Sequence, residues 1–510
     1  MPQIVAQKLL VGLEVHVQLA TRTKMFTRAG SPAHREFENA EPNTLIDPVV
    51  LGLPGALPVM NREAIEMAIR VGLALNCSIA TRTKWDRKSY YYPDLPKAYQ
   101  ISQYDLPLCF DGSVEFQFED EQKQERTKRV GIVRAHLEED AGKLLHEAPG
   151  GEPIDFSIVD FNRAGTPLLE IVTQPDFESA DEVVAFAQHL RQICRHLGVS
   201  HGVMQKGHMR FEPNINMHLT MDDGSLVKTP IIEIKNLNSF RALRGAIEYE
   251  ASHQGDRFLE DGKVMGPGAK TTRGWDDTRE ATFVQREKED AHDYRYFPDP
   301  DLVPVTVEAS RLEEIRASMA ELPGERYQRL RHDFALSSKD AGAIVDEPDV
   351  AEFFDACVQA IVEEGIEHGA AGKQASNMLL QAGAKRANER GVRISQLGIS
   401  PSQVAGVVVL RQQNAIGSSA GDELFGMLCE SDDDAKVVAE RANLMQVSDE
   451  GSLRQWCQQV IDDPANAQAV DDVRGGKGAA IGRLIGGVMK LSGGKADAKG
   501  VQQMLRELLS

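Results

Sequence analysis

Thiols, aromatic rings and long apolar runs are scarce in this 510-residue chain. Its six cysteines are widely scattered, with no two spaced for a metal knuckle, so free buried thiols are expected. No apolar run approaches the ~20 residues that a membrane-spanning helix needs. The first eight residues lack the basic start and apolar core of a secretory signal and the Arg/Ser-rich character of a transit peptide. These absences predict a cytoplasmic protein without a membrane partner.

Several familiar catalytic motifs are also missing. No Gly-x-x-x-x-Gly-Lys-Ser/Thr string occurs, which excludes a P-loop, and no Rossmann glycine fingerprint opens a helix. Nothing reads as the Gly-Gly-Ser-Ser type of sequence that carries an amidase nucleophile. Any phosphoryl transfer must therefore rely on a metal and on discrete cations, which is sufficient because such transfer needs mainly positioning and charge neutralisation.

The charge balance is strongly acidic, with one basic exception. A net charge of −20 argues against a general nucleic-acid binder, and no DNA binding is predicted, because phosphate affinity comes from Lys and Arg. Residues 474–506 contain a single acid, Asp497, among several basic residues. The predicted RNA contacts there are Arg474, Lys477, Arg483, Lys490, Lys495 and Lys499. The alternative is a basic helix face that stays solvated.

Secondary-structure patterns divide the chain near residue 300. Residues 1–300 are rich in strand patterns and Pro/Gly-bounded loops, with predicted helices at 63–76 and 182–197. Residues 313–433 have little strand pattern and predict an all-helical region. A loop at 427–434 precedes a last helical module with helices at 481–491 and from 497 onward. A length of 510 residues is consistent with about three domains.

Two segments carry the clearest strand pattern, in which alternate residues fall on opposite faces. The polar face of residues 9–19 carries Glu14, His16 and Gln18. The polar face of residues 210–219 carries Arg210, Glu212, Asn214, Asn216 and His218. Carboxylates, amides and imidazoles bind hard cations and phosphate-bearing substrates. A solvated face is the alternative, since edge faces are commonly mixed.

Further acid-bearing segments extend this polar face. Residues 130–138 place Arg134, His136 and Glu138 on one side and continue into Glu139 and Asp140. Three consecutive acids are costly near a low-dielectric wall unless a cation lies among them. Residues 231–236 and 158–163 carry acids in the same manner. Together these segments predict one antiparallel sheet with an ion-binding floor, and magnesium fits its oxygen-rich ligands best.

Eight long strings of low degeneracy follow one another along the chain. They are GLEVH at 12–16, GLPGALP at 52–58, YYPDLPK at 91–97, YQISQY at 99–104, HLEEDAGK at 136–143, NRAGTPL at 162–168, EIKNLNSF at 233–240 and AHDYRYFP at 291–298. Together they resemble the B subunit of the glutamyl/aspartyl-tRNA amidotransferase, the GatB family. The resemblance covers almost the whole chain and is weakest between about 300 and 470.

This resemblance implies an α+β fold and a ligase activity. It implies a cradle with the kinase and transamidase site on an antiparallel sheet at 1–300, an all-α helical domain at 301–410 and a small helical YqeY-like tail at 411–510 that binds tRNA. The implied reaction uses ATP and Mg²⁺ to phosphorylate the side-chain carboxylate of Glu-tRNA(Gln) and/or Asp-tRNA(Asn). Ammonia then displaces the phosphate. The implied partners are the tRNA, an amidase A subunit, and a small C subunit.

Residue roles follow from the same resemblance. The expected catalytic residues are Glu14, His16, Glu138, Glu139, Asp140, Glu212 and Lys235, of which the expected magnesium ligands are Glu14, His16, Glu138 and Glu139. Glu212 stands where the family usually has Asp, with the same charge and one more methylene. The expected substrate and phosphate contacts are Arg163, Arg210, Lys88 and Lys97. The tyrosines near the two lysines, at 90–92 and 99, serve either as base-stacking rings or in packing. His292, Asp293 and Arg295 receive no role.

One departure from the family pattern concerns zinc. Many members carry two thiol pairs that form a zinc knuckle, whereas the matching positions here are Thr27, Ala29, Asp47 and Val50. No zinc is therefore expected, because a lone Asp cannot make a four-ligand site. The loop at 25–51 is expected to be held by packing and hydrogen bonds.

Two rival functions remain open at this point. One is the archaeal-type E subunit, whose inserted synthetase-like domain finds no room between residues 277 and 302. The other is a non-catalytic tRNA-binding protein, which loss of the acidic cluster would mark, and that cluster is complete here.

Overall fold

The structure is a computed structural model that describes residues 3–148, 151–286, 294–446, 450–493 and 496–509. Contacts divide it into two compact units, Met1–Gly324 and Glu325–Ser510. His292, Asp293 and Lys495 lie outside the described residues.

The first unit is built around β-strands. Their bounds are β1 Ile4–Gln18, β2 Ser78–Ile79, β3 Arg82–Thr83, β4 Asp86–Ser89, β5 Tyr99–Ser102, β6 Cys109–Glu119, β7 Glu125–Glu139, β8 Lys143–Glu147, β9 Pro153–Asp160, β10 Pro167–Thr173, β11 Met209–Met221, β12 Leu226–Lys228, β13 Ile232–Lys235, β14 Thr271–Asp276, β15 Ala281–Arg286, β16 Phe297–Pro298 and β17 Val305–Thr306. Its helices are α1 Arg62–Ala74, α2 Ala180–His196, α3 Phe240–Asp261 and α4 Ala309–Ala317.

One ten-stranded sheet organises this unit. Its order is β15-β14-β13-β11-β1-β10-β7-β6-β2, and β12 pairs with β11. The pairs at its centre are antiparallel, as predicted, but β13 and β14 run parallel, so the sheet is mixed. The strands predicted at 9–19 and 210–219 are the neighbours β1 and β11.

Alternation along β1 explains why one face of the sheet is polar. Val11, Leu13, Val15 and Val17 are at most 1% exposed and belong to the apolar core, which also receives α1, α2 and α3. The residues between them point to the opposite face because side chains alternate along a strand. The predicted helices at 63–76 and 182–197 are α1 and α2. The core side of the sheet thus fixes which side carries the polar groups.

The second unit is helical, as the composition predicts. Its helices are α5 Pro323–Phe334, α6 Ser338–Val345, α7 Pro348–Glu363, α8 His368–Met378, α9 Ala384–Arg390, α10 Pro401–Gln412, α11 Ser418–Leu428, α12 Ala435–Arg441, α13 Glu450–Asp462, α14 Ala467–Arg474, α15 Ile481–Leu491 and α16 Ala498–Leu509, with the unit boundary in the first turn of α5. The predicted helix at 481–491 matches α15, and the predicted loop lies between α11 and α12.

Two separate apolar clusters hold the second unit together. One extends from Leu330 to Ala439, and the other extends from Leu453 to Leu509. Residues 411–439 therefore share a core with the helices before them. Within the described residues, no helix is both long and apolar enough to span a bilayer.

A buried histidine predicts acid sensitivity of the first unit. His208 is 5% exposed, and burial, followed by the nearby His201, lowers the pKa of His208 to about 4. Between pH 6.5 and 4 the unfolded chain binds a proton that the folded chain does not, so stability falls as the pH falls. Over this pH window, we expect the free energy of unfolding of the native protein to fall by about 1–3 kcal/mol more than the free energy of unfolding of the His208→Gln variant. Urea unfolding at pH 7, 5.5 and 4.5 measures the difference.

The matched control for this prediction is His146→Gln, which removes an exposed imidazole of the first unit. This variant should follow the native pH dependence. Equal pH dependence of the native protein and His208→Gln would contradict the prediction.

Candidate functional site

The polar face of the sheet lines a cavity of about 540 Å³. Strand register brings its groups together: His16 of β1 lies opposite Glu170 of β10 and Arg210 of β11, and Glu170 lies opposite His136 of β7. Glu14 lies opposite Glu212. Residues far apart in sequence thus form rows across neighbouring strands, where facing side chains are close enough to interact.

The His16 cluster consists of His16, Glu138 and Glu170. His16 Nε2 lies 3.6 Å from Glu170 Oε2 and 3.8 Å from Glu138 Oε1. His136 Nε2 lies 3.4 Å from the same Glu170 oxygen. Glu138 is 3% exposed, so this acid meets the His16 imidazole away from bulk water.

The Glu14 cluster consists of Glu14, Glu212 and Glu233, each of which offers a carboxylate oxygen to the same small volume. Lys235 Nζ lies 2.8 Å from Glu212 and 3.1 Å from Glu233. Lys270 Nζ lies 3.3 Å from Glu233. Two cations therefore flank three acids.

Electrostatics differ between the two clusters. Burial, followed by the charges of Glu170 and Glu233, raises the pKa of Glu14. Burial also opposes ionisation of Glu170, but His136 and then His16 hold the pKa of Glu170 well below its usual range. Burial alone would lower the pKa of His16, yet the hydrogen bond and charge of Glu170 raise it to about 9. The cavity is therefore rich in negative charge. Near Glu14, the cations of the cavity do not fully neutralise that charge.

Asp140 anchors the arginines of the site. Arg210 Nη2 lies 2.9 Å from Asp140 Oδ2, and Arg163 Nε lies 3.7 Å from the same oxygen. The Gln18 side-chain amide also donates to it at 2.9 Å. Burial raises the pKa of Asp140, but the charges of Arg210 and Arg163 more than offset this and lower it. Asp140 thereby holds Arg210 at the cavity wall.

Glu139 and Lys97 lie outside the cavity lining and pair with each other. The side chain of Lys97 is 9% exposed and that of Glu139 is 4% exposed. The backbone N–H of Ile101 also donates to the Glu139 carboxylate at 3.0 Å. Neighbours along β7 point to opposite sides, so Glu138 enters the cavity and Glu139 does not. The expected ligand set Glu14, His16, Glu138 and Glu139 is thus not assembled at one point.

Lys88 lies in the cavity wall against aromatic rings. Its Nζ is 5.0 Å from the ring centroid of Tyr294 and 6.0 Å from that of Tyr90. Burial would lower the pKa of Lys88, but the charge of Glu138 raises it. Lys88 therefore adds a fixed positive charge beside the His16 cluster.

The donor set fits a hard divalent cation. His16 Nδ1 and His136 Nδ1 are buried without a hydrogen-bond partner, and His16 Nδ1 is 3.9 Å from Glu212 Oε1. Within each cluster the ligand atoms lie within 4.8 Å of one another. Carboxylate oxygens at this spacing suit magnesium, which takes oxygen ligands at about 2.0–2.1 Å. Both clusters therefore have the chemistry and spacing of a cation site.

Sequence reasoning missed several residues that line this cavity. Glu170 is a single acid in an otherwise apolar strand, and Lys270 follows a loop without a pattern. The others are His136 and Glu233, noticed on strands but given no role, and Tyr104, Tyr294 and Tyr296. The sequence around Glu170 carries no polar alternation, so only strand pairing places it in the cavity beside Leu168 and Val172.

The tail residues form no comparable cluster within residues 450–493 and 496–509. Lys477 Nζ lies 3.0 Å from Asp472, and Arg483 donates to the Ala465 carbonyl at 3.2 Å. Asp472 lies just before residues 474–506, the stretch of the sequence that contains a single acid. Arg474, Lys490 and Lys499 are exposed. An RNA-binding role for them stays a prediction.

Hydrogen bonds connect the four positions that the resemblance matches to the family's zinc knuckle. The Thr27 hydroxyl donates to the Asp47 carboxylate, which also accepts the Val50 N–H at 2.9 Å, and the Ala29 N–H lies 3.3 Å from the Thr27 oxygen. Hydrogen bonds within the loop at 25–51 were predicted, and Asp47 is the residue that joins Thr27 to Val50. The expectation that no zinc binds stays a prediction.

Comparisons with known proteins match most of the chain. A family model described as the GatB/GatE catalytic domain matches residues 9–313, and one described as the GatB domain matches residues 360–509. A Rhodopirellula baltica protein, named as the B subunit of an aspartyl/glutamyl-tRNA(Asn/Gln) amidotransferase, is 42% identical over 502 residues, which are 98% of this chain and 96% of the relative.

Two further relatives carry the same name. The Thermomicrobium roseum protein is 42% identical over 506 residues, which are 98% of this chain and 98% of the relative. The Caldanaerobacter subterraneus protein is 41% identical over 505 residues, which are 98% of this chain and 99% of the relative. With family models matching both units and relatives aligned along nearly its whole length, this chain belongs to the GatB family of amidotransferase B subunits.

Proposed function

We propose that this chain is the component of a tRNA-dependent amidotransferase that activates and amidates the aminoacyl group. The substrates are Glu-tRNA(Gln) and/or Asp-tRNA(Asn), and the products are Gln-tRNA(Gln) and/or Asn-tRNA(Asn). The observation that carries this proposal is the single cavity in which two acidic clusters meet Lys88, Arg210, Lys235 and Lys270. Its cations suit the phosphates of ATP, and its acids suit a metal.

The reaction has two steps. The side-chain carboxylate attacks the γ-phosphorus of ATP, which gives an acyl phosphate and ADP. Ammonia then attacks the acyl carbon, phosphate leaves, and the surplus proton passes to a nearby base. Activation is needed because a carboxylate is a poor electrophile, whereas an acyl phosphate has a good leaving group.

The residues of this chain would bind and orient the reacting groups. Arg210, held by Asp140, and Lys235 would neutralise phosphate oxygens, with Lys270 beside them. Magnesium would be held by the Glu14 cluster, with the Glu138 and Glu170 carboxylates of the His16 cluster as further donors. When bound, the ion would neutralise phosphate charge. His16 and His136 would keep the Glu170 carboxylate ionised and oriented.

Ammonia must come from another protein, because the sequence offers no amidase nucleophile with a base partner. We propose the heterotrimer of the family, in which this chain joins an amidase A subunit, the source of ammonia, and a small C subunit. We propose a cytoplasmic location, where ATP and charged tRNA are both available.

Two alternatives are less well supported. A non-catalytic tRNA-binding protein would not need buried acids paired with buried cations, because removing these charges from water costs free energy. A protein of the E type also matches the catalytic-domain family model, but residues 360–509 match the model described as the GatB domain.

The assembled complex tests the proposed function directly. The three proteins of the complex, mischarged tRNA, ATP, Mg²⁺ and glutamine are expected to give amidated tRNA and ADP in equal amounts. Omitting the tRNA should abolish ADP formation. Binding of tRNA without ADP formation would favour the non-catalytic alternative. Assays of the two tRNAs separately show whether one or both are substrates.

We also propose three functional parts within the chain. They are a catalytic cradle, a helical domain and a tRNA-binding tail. The tail is best tested as residues 450–510, because residues 411–439 belong to the apolar cluster that begins at Leu330. A cut at residue 411 would expose that cluster.

Charge reversal in the tail is expected to weaken tRNA binding. Lys490→Glu with Lys499→Glu should reduce the log–log salt slope of binding by about 0.9 for each phosphate contact that the substitutions remove. Deletion of residues 450–510 should weaken binding further and leave ammonia release from glutamine intact. Affinity for mischarged tRNA across a salt series measures both effects.

A charge-matched control separates local contacts from net charge. Lys8→Glu with Lys123→Glu makes the same change in net charge at two exposed residues far from the tail in sequence, and should leave the salt slope unchanged. If the tail variants keep the native affinity and slope, the basic face is merely solvated.

A further inference from the structure

Four tyrosine rings form a connected chain at one wall of the cavity. In order they are Tyr104, Tyr296, Tyr294 and Tyr90, which we call the tyrosine chain. The rings of Tyr104 and Tyr296 are stacked, with centroids 4.2 Å apart and planes 12° apart. Tyr294 meets Tyr296 edge-on at 6.1 Å and Tyr90 edge-on at 5.9 Å. All four rings line the cavity.

The tyrosine chain leads from solvent to the acidic clusters. Tyr104 is 51% exposed, whereas the burial of Tyr296 and Tyr90 is greater. At the inner end, Lys88 lies against Tyr294 and Tyr90. Burial raises the pKa of Tyr296 to about 12, and the charges of Glu138 and Glu170 contribute to this rise. The stack therefore begins at the cavity rim and ends beside the His16 cluster.

Tyr104 is held in place from two sides. Tyr296 covers one face of its ring. Its backbone N–H donates to the buried Asp86 carboxylate at 3.2 Å, and Asp86 also pairs with Lys84 at 2.6 Å. A ring that is fixed on one face and half exposed presents a rigid apolar surface at the entrance of a polar cavity.

From this arrangement we propose that Tyr104 is an adenine-stacking platform. The base lies on the exposed ring face and continues the Tyr104–Tyr296 stack, while the attached ribose and charged groups extend toward the two acidic clusters. Offset stacking suits this ring pair, and every nucleobase offers a π-face. The inference rests on the proposed function, which supplies two ligands that carry an adenine.

These two ligands share the same chemistry. One is ATP, and the other is the 3′-terminal adenosine of the tRNA, which carries the amino acid. Both must place a reacting group among Lys88, Arg210 and the acidic clusters, with the base further out. The geometry assigns the adenine ring to Tyr104, and the experiment identifies the ligand that carries it.

The test compares each ligand with a version that lacks the base. The assembled complex is titrated with ATP and inorganic tripolyphosphate, and with uncharged tRNA that has or lacks its 3′-terminal adenosine. The adenine contribution is the ratio of the affinity for the ligand with the base to the affinity for the version without it. In Tyr104→Ala this ratio should fall by about 5- to 150-fold for one of the two ligands. Tyr104→Phe should keep it, because stacking does not need the hydroxyl. Phe156→Ala is the matched control, since Phe156 is 61% exposed but lies outside the cavity lining.

Three results would overturn the inference. The first is an unchanged adenine contribution for both ligands in Tyr104→Ala. The second is an equal loss in Tyr104→Phe, and the third is an equal loss in Phe156→Ala. Because each comparison is internal to one variant, a general loss of stability cannot imitate the effect. If the native complex neither binds these ligands nor amidates tRNA, the proposed function itself fails. If the native complex amidates tRNA and Tyr104→Ala keeps the full adenine contribution to affinity, only the role of Tyr104 is refuted.

Discussion

Glu14→Gln is expected to lower tRNA-dependent ATP hydrolysis by about two to three orders of magnitude, because a metal ion contributes several kcal/mol to phosphoryl transfer. Glu14 shares its cluster with Glu212 and Glu233. Glutamine keeps the oxygen that accepts the Asn214 amide at 3.1 Å but removes the negative charge. The fold should be intact, because the raised pKa of Glu14 shows that its charge opposes the native state. ADP formation with saturating mischarged tRNA across a Mg²⁺ series measures the effect.

The control for this prediction is Glu115→Gln, which removes an exposed acid of β6 that lies outside the cavity. It should retain native turnover. Glu170→Gln should behave like Glu14→Gln if both clusters serve the reaction. Near-native turnover of Glu14→Gln with a native dependence on Mg²⁺ would refute the role of the Glu14 cluster.

Lys97→Met is expected to destabilise the first unit by about 3–5 kcal/mol, the usual cost of leaving one partner of a buried ion pair alone. Lys97 pairs with Glu139, and both side chains are nearly excluded from solvent. Its ammonium also lies 5.4 Å from the ring centroid of Tyr99, so the loss includes a cation–π contact. The free energy of unfolding in urea measures the change.

A double variant separates stability from substrate binding. Lys97→Met with Glu139→Gln leaves no unpaired buried charge at this pair and should recover much of the lost stability. The sequence predicted Lys97 as a substrate contact. If the recovered double variant retains the native KM values for ATP and tRNA, Lys97 is a structural residue. A stable Lys97→Met single variant would contradict the structural role.

Local patterns in the sequence determined much of this protein. The alternation at 9–19 predicted β1 and its polar face, and the helices at 63–76, 182–197 and 481–491 followed from their periodicity. These predictions succeeded because side-chain periods of two and 3.6 residues depend only on neighbours along the chain. The long motif strings likewise indicated the family, which the full-length relatives confirm.

Tertiary structure alone decided which acids meet. Glu138 and Glu139 are neighbours in sequence, yet one enters the cavity and the other forms a buried pair with Lys97. Glu170 and Lys270 gave no local signal, and strand register and loop placement bring them to the two clusters. The stack of Tyr104 on Tyr296 joins segments that are remote in sequence. Sequence determined which faces were polar, because that choice is local, whereas the composition of the site depended on pairings between distant strands, which only the packed fold specifies.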